Sequence, residues 1–384
     1  MELRHGTPEE VGMSAERVQH VVDLAEGWVA QGIHPALVTL VARRGVIVIH
    51  EAFGSLTPEP DSPPLELDTI FPLASITKPI TATAAMMLVE DGLLGLNRPV
   101  SWYIPEFVGE GKGAVMVHHL LTHTSGLRDE DMNAYAEKKK GTVEIPPPDE
   151  TQHPQINEIL FLRYDAPLWK PPGTEMSYCG YGYVLMAEII RRVSGRSLDD
   201  FARERIFEPL GMKDTYYIVP DSVEHRVVKR PADAPFTWYD TREGQEMPHA
   251  AGGVYSTAMD TAIFGQMFLN RGTYGDARIL SPASVIEMTR NQIPGISARS
   301  GDEFFPEASW GFGWSIHGSR KSWGRGTLHS PEAFLHTGAG GVFLWVDPVY
   351  EIVGIYFCVS AELGGRDRQL DLFMNTVTAA VVDV

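Results

Sequence analysis

Cysteine is nearly missing from this chain. Its two residues, Cys179 and Cys358 among 384, offer no disulfide framework and suit a reducing compartment. Long apolar runs are also lacking: no stretch approaches the roughly 18 uninterrupted apolar residues of a membrane-spanning helix. Positive charge is scarce, with 32 Lys and Arg against 50 Asp and Glu, a net charge of −18. That balance argues against nucleic acid or an anionic membrane as partner, and against a polyanionic substrate. The start, Met1-Glu2-Leu3-Arg4-His5-Gly6, lacks the basic segment and apolar run of a secretory leader. A soluble cytoplasmic protein is therefore expected. Internal repeats and low-complexity tracts are absent.

Several chemistries lack their signatures. No G-x-S-x-G nucleophile elbow and no glycine-rich phosphate loop occur. His118, His119 and His123 include an i, i+4 pair, but no glutamate stands between them as H-E-x-x-H requires. Neither a metal nor a cofactor is expected, and Cys179 is read as a small packing residue.

What is present is an ordinary globular composition, 43% hydrophobic and 21% charged, long enough for one large or two intimate domains. Thr7-Pro8-Glu9-Glu10 reads as a capping box, and Ser14 as the cap of a helix whose stripe is Val18, Val21, Val22, Leu24, Ala25, Trp28 and Val29. Ala36 to Ala42 and Val46 to Phe53 read as a hairpin turning at Arg43-Arg44-Gly45. Its nearly continuous apolar character predicts a strand covered on both faces. Between Leu93 and about Val219 the signals are helical, with residues 128 to 157 expected as a long surface insertion. Tyr181 to Val193 and Leu198 to Ile206 read as helices. Ala258 to Leu269 reads as another, after Ala250 to Thr257. The polar stretch Gly295 to Ser309 reads as loop. Strand-like runs follow at Phe334 to Thr337, Gly341 to Asp347 and Ile352 to Val359, before an apolar helix from Leu370 to Val382. Strands at both chain ends with helices between them predict an antiparallel sheet flanked by the terminal helices.

The chemistry begins at Pro72-Leu73-Ala74-Ser75-Ile76-Thr77-Lys78. If the run from Ser75 is helical, Lys78 shares its face. An unprotonated lysine can take the serine proton where burial lowers its pKa, and the helix N-terminus favours negative charge beside Ser75. A capped helix with a solvated lysine would also fit. Thr81 to Leu88, however, fill every face of that helix with Ala, Thr, Met and Leu, which predicts a buried lysine. Two further segments supply partners. In Pro171-Pro172-Gly173-Thr174-Glu175-Met176-Ser177-Tyr178-Cys179-Gly180-Tyr181, Tyr178 is a candidate proton relay if nearby lysine charge deprotonates it, or else a core tyrosine. In His336-Thr337-Gly338-Ala339-Gly340-Gly341, glycines admit close approach of a substrate, and the N–H of Ala339 could pair with that of Ser75 as an oxyanion hole. His336 could instead be a satisfied buried histidine.

Together these strings resemble the serine β-lactamase and penicillin-binding-protein superfamily, in particular the class C β-lactamase-related group that includes family VIII carboxylesterases. The resemblance also rests on Leu120-Leu121-Thr122-His123-Thr124-Ser125-Gly126-Leu127, Ala251-Gly252-Gly253-Val254-Tyr255-Ser256-Thr257 and Trp310-Gly311-Phe312-Gly313-Trp314. It implies an α+β, β-lactamase/transpeptidase-like fold: an antiparallel sheet flanked by helices, with an inserted helical domain. Residues 1–72 and 250–384 would form the sheet domain, and 73–249 the mainly helical one. By resemblance Ser75 is acylated and Lys78 is its proton partner. Tyr178 matches the tyrosine of Tyr-x-Asn, and His336-Thr337-Gly338 match the substrate-binding Lys-Thr-Gly.

Two positions depart from the pattern. Gly180 stands where asparagine is expected. His336 replaces a lysine, and with an ordinary pKa of about 6.5 it is mostly neutral at neutral pH. Both departures favour esters of little negative charge. The expectation is thus a serine hydrolase of small carboxylic esters, with β-lactamase or D-aminopeptidase-type amide hydrolysis as the alternative and a non-catalytic binding protein of the same fold as a different class. Substrate choice would lie in the loops 128–170, 220–248 and 295–330, with Trp169, Trp238, Tyr239, Phe304, Phe305 and Trp310 as candidate pocket walls. Oligomeric state is not encoded legibly.

Overall fold

The computed structural model describes residues 1–300, 303–319, 326–360 and 368–383. Its centre is a seven-stranded sheet drawn from both ends of the chain. The strands are β1 (Arg4–His5), β2 (Ala36–Arg43), β3 (Val46–Gly54), β4 (Ser315–Ile316), β5 (Phe334–Gly338), β6 (Val342–Asp347) and β7 (Ile352–Cys358). They lie in the order β1-β3-β2-β7-β6-β5-β4. Only the short edge pair β1–β3 is parallel.

Two layers of helix cover this sheet. The longer helices are α1 (Ala15–Ala30), α2 (Thr77–Glu90), α3 (Asp129–Lys139), α4 (Gly180–Ser194), α5 (Ala258–Leu269) and α6 (Arg368–Ala379). Val18, Val21, Ala25 and Trp28 of α1 and Phe373, Met374 and Val377 of α6 pack on Leu37, Val41, Phe343, Trp345 and Tyr356. The alternate residues, Val38, Leu40, Leu344, Val346, Val353 and Ile355, join the larger core shared with α2, α4 and α5. This period-two division explains why all eight residues of β2 are buried, as its apolar run predicts. No strand occurs between Pro72 and Tyr255. There α2 runs through the core with every residue from Thr77 to Leu88 buried.

The structure corrects several sequence expectations. Ser75 is not in the first turn of α2 but in a 3-10 turn, Ala74–Ile76, that leads into it. The stretch 128–157 is not all surface insertion: its first third is α3, with Met132 and Ala136 buried. The segment 295–309 holds a β-ribbon, Ala298–Ser300 paired with Glu303–Phe305, rather than loop alone. Part of the expected 295–330 loop, residues 301–302 and 320–325, lies outside the described residues. The helix beginning at Leu198 passes at Arg203 into a π-helical turn ending at Phe207. Among the described residues no helix is long and apolar enough to cross a membrane.

Arg43 also departs from expectation. The hairpin turn needs only Arg44 and Gly45, both at positive φ of 50° and 75°, which is the geometry of a two-residue hairpin. Arg43 instead ends β2 with a fully buried side chain. Its guanidinium donates to the carbonyls of Val11 (2.6 Å), Gly12 (2.8 Å) and Tyr350 (2.9 Å), and to the Asp383 carboxylate (2.6 Å). One side chain thereby fastens both chain ends to the sheet. Arg43→Ala should lower stability by at least about 1–3 kcal/mol, the cost of leaving the Val11 carbonyl unpaired, as measured by urea denaturation. An unchanged midpoint would show that the clamp contributes nothing.

Candidate active site

The Ser75 turn is built by pairing with a distant segment. Phe71–Pro72 pairs antiparallel with Tyr255–Ser256. The N–H of Leu73 donates to the Val254 carbonyl at 2.7 Å, and the N–H of Val254 donates to Thr77 Oγ1 at 3.1 Å. Thr81 Oγ1 donates to the Ala250 carbonyl at 2.8 Å. Residues 250–256 therefore run alongside the start of α2. Between these anchors Ala74 takes a φ of +44°, which is strained for a residue with a Cβ, and the strain immediately precedes Ser75.

Lys78 is 2% exposed. Its Nζ lies 2.9 Å from Ser75 Oγ and donates to the Ala251 carbonyl, also at 2.9 Å. The amine sits over the rings of Tyr178 and Tyr183, 4.6 and 5.7 Å from their centroids. Burial drives its pKa from 10.5 down to about 7, although the Asp129 carboxylate pulls the other way. A neutral amine here can donate to Ala251 while its lone pair receives the Ser75 proton. The structure brings the two side chains together.

Tyr178 arrives from the segment before α4. The residue is 42% exposed, and its hydroxyl faces Ser75. Burial raises its pKa, the Ser75 hydrogen bond opposes that, and Asp129 adds to the rise. The phenol consequently keeps its proton at neutral pH. This reverses the expectation of a phenolate: the group whose ionisation falls near neutrality is Lys78.

The glycine-bordered strand closes the other side. The end of β5 abuts the Ser75 turn so tightly that a Cβ on Gly338 would lie 2.3 Å from the Leu73 carbonyl oxygen. Thr337 and Ala339, on either side of it, are half-buried. His336 is 2% exposed, with Nδ1 2.8 Å from the Thr337 carbonyl oxygen. Its ring centroid lies 5.7 Å from that of Trp310 and 6.4 Å from that of Tyr178. Trp310 and Phe305 join the small apolar cluster around Met176 beneath Tyr178. The Tyr239 hydroxyl comes within 3.0 Å of where a Cβ on Gly252 would sit, and that point is 3.7 Å from the Ala74 carbonyl carbon. Trp238 packs on Tyr239, and Trp169 lies between Arg128 and Lys170. Phe304 is exposed on the ribbon.

Three residues that sequence reasoning did not assign to the site meet it. His123, at a φ of +57°, stacks on Tyr178 with ring centroids 4.4 Å apart and accepts from the Cys179 N–H at 3.1 Å. Burial and then Lys78 hold its pKa well below the ordinary value, so it is a neutral wall. His249 is held neutral too, with its pKa lowered to about 4 by burial and by Lys78, and it accepts from the Ala251 N–H at 3.2 Å. Asp129, at the start of α3, accepts from the N–H groups of Gly180 (2.6 Å) and Tyr181 (3.1 Å) and from Cys179 Sγ (3.1 Å). That bond and burial keep the Cys179 thiol protonated. His123 lies within the Leu120 to Leu127 segment, but nothing in the sequence pointed to Asp129. His119 spends Nδ1 on the Met116 N–H at 3.0 Å.

The chain is similar to known proteins over most of its length. The family model described as Beta-lactamase matches residues 21–376. A putative D-alanyl-D-alanine carboxypeptidase of Escherichia coli (strain K12) is 25% identical, over 90% of this chain and 83% of its own. The crystal structure of a penicillin-binding protein homologue from Caulobacter crescentus is 25% identical, covering 96% of this chain and 99% of its own at a TM-score of 0.76. A family VIII carboxylesterase structure shares the fold, with a TM-score of 0.73, 24% identity and coverage of 94% and 98%.

The Lys78 ionisation makes a testable demand. A base works only when unprotonated, so reactivity is lost as pH falls through about 7. Phosphonylation of Ser75 by a small fluorophosphonate should slow by about tenfold per pH unit below that point and level off above it. A rate constant that stays flat from about pH 5 to about pH 8, followed by intact mass, would remove Lys78 from the role.

Proposed function

This chain belongs to the beta-lactamase family, and from that premise we propose that it hydrolyses small carboxylic esters of little negative charge through an acyl-enzyme on Ser75. The observation that carries the reading is the buried Lys78 amine, 2.9 Å from Ser75 Oγ with a pKa near 7. In the first step Ser75 Oγ attacks the ester carbonyl and its proton passes to Lys78. The N–H groups of Ser75 and Ala339 hold the oxyanion. Collapse breaks the bond to the alkoxide, which takes a proton from the Tyr178 phenol, and Lys78 reprotonates Tyr178. Water then repeats the attack on the acyl carbon, with Lys78 as base, and releases the acid and Ser75.

Esters are favoured over amides and lactams by the two departures from the family pattern. Gly180 brings no side-chain amide to the cleft. His336 is buried among Trp310 and Tyr178 rather than offering the fixed cation that would attract a carboxylate. The apolar and aromatic side chains of Trp310, Phe305 and Tyr239 suit an acyl or alcohol group without charge. The second reading, amide hydrolysis, is kept in view by the name of the E. coli relative, a putative D-alanyl-D-alanine carboxypeptidase.

Incubation with a panel of nitrophenyl esters, nitrocefin and D-alanyl amides, read by product release and by the mass of the Ser75 adduct, separates the two. Short-chain esters should turn over fastest, and Ser75→Ala should remove that activity by about 10³-fold or more. Faster turnover of the amides would favour the second reading. Ester turnover unchanged in Ser75→Ala, or a wild-type protein that turns over none of them, would overturn both.

A further inference from the structure

Position 180 lacks a side chain at the point where the family pattern carries an asparagine, yet the space is not empty. A Cβ on Gly180 would lie 3.3 Å from Oδ2 and 3.9 Å from Oδ1 of Asp129, and 3.6 Å from the Cβ of Ala251. A longer side chain would run into that carboxylate. Asp129 comes from α3, some fifty positions earlier in the chain, and binds the three consecutive residues that follow Tyr178. It accepts from Cys179 Sγ and from the N–H groups of Gly180 and Tyr181, the first two residues of α4. A carboxylate at that helix start complements both the unpaired N–H groups and the helix dipole. Across the gap stands Ala251, whose carbonyl accepts from Lys78. One acidic side chain therefore fills the hole and ties down the Tyr178 segment.

We propose that Asp129 is a positioning residue that replaces the missing side chain at Gly180, holding Tyr178 beside Lys78 and biasing the cleft against anionic substrates. The inference rests on the Ser75 acyl-enzyme reading. An amide at this place would be neutral and could donate to a substrate. A carboxylate can only accept, and it adds a negative charge. The other titratable groups around Lys78 and Asp129 include Tyr178 and Cys179 from the same segment, Tyr183 from α4, His123, His249 and Tyr239 from the loops, His336 from β5, and Arg163, whose positive charge is felt by both Asp129 and His249. Burial keeps Tyr178, Tyr183 and Cys179 protonated, and His123 and His249 uncharged. Asp129 is the carboxylate of this set, and its charge favours the protonated form of Lys78.

The test replaces charge while keeping shape. Asp129→Asn should move the acidic limb of kcat/KM for 4-nitrophenyl acetate to lower pH by about half a unit or more, because Lys78 loses a charge that favours its proton. It should also narrow the preference for that neutral ester over the mono-4-nitrophenyl ester of succinate, which has the same leaving group, by about threefold or more. Rates are normalised to the Ser75 sites titrated by fluorophosphonate, so misfolded protein does not count. Asp129→Ser, which keeps an oxygen acceptor for the start of α4, repeats both measurements if Asp129→Asn folds poorly. A purely structural role would lower the yield of titratable sites and move neither quantity. An unchanged pH limb together with an unchanged ester ratio would overturn the inference while leaving Ser75 acylation intact. A wild-type protein that never acylates would instead overturn the reading on which the inference stands.

Discussion

Everything in this molecule turns on keeping one lysine amine out of water. A lysine at the surface holds its proton far above neutral pH, and as a cation it cannot accept another. Lys78 escapes this because α2 is buried on all sides from Thr77 to Leu88, so the charged form of the amine is poorly solvated. The same burial needs partners for the amine, and the structure supplies the Ala251 carbonyl on one side and Ser75 Oγ on the other. Without the Ala251 segment the amine would be a buried polar group with half its hydrogen bonds missing.

The rest of the fold delivers that environment. The two-faced sheet carries helices on both sides, so β5 can end against the Ser75 turn while α2 crosses the core behind it. Backbone pairing between Phe71–Pro72 and Tyr255–Ser256 fixes the serine turn from a segment more than 170 positions away. Aromatic rings complete the enclosure: Tyr178, His123, Trp310 and His336 contact one another in a continuous set. Such a wall shields the amine from water.

The two departures from the family pattern have different structural outcomes. At position 336 the replacement of lysine by histidine leaves a buried ring packed among aromatics, with its Nδ1 turned to the Thr337 carbonyl oxygen. At position 180 the lost side chain is compensated from elsewhere in the chain, by a carboxylate where an amide would have been. The first change removes a cation and the second introduces an anion. Both changes bear on the neutral-ester reading proposed above in the same direction.

Much of this is legible in the sequence. The apolar periodicity of β2, β3, β5, β6 and β7 and the unbroken apolar surface of α2 follow from local patterns, because burial on one or both faces dictates residue type at fixed spacing. Ser75, Lys78, Tyr178 and the strand from His336 were visible as strings in a known order. Contacts between distant segments were not. Arg43 reads as part of a turn until the chain ends fold onto it, and Asp129 reads as one more surface acid in a polar stretch. Likewise, whether Tyr178 carries its proton depends on how deeply its hydroxyl is enclosed, which no spacing reveals. The sequence alone determined the fold class and singled out Ser75 as the candidate nucleophile, since both rest on local, repeated physical constraints. Only the tertiary structure decided which group ionises near neutral pH and what fills the gap at Gly180, since pKa and steric occupancy depend on neighbours that the chain brings together from far apart.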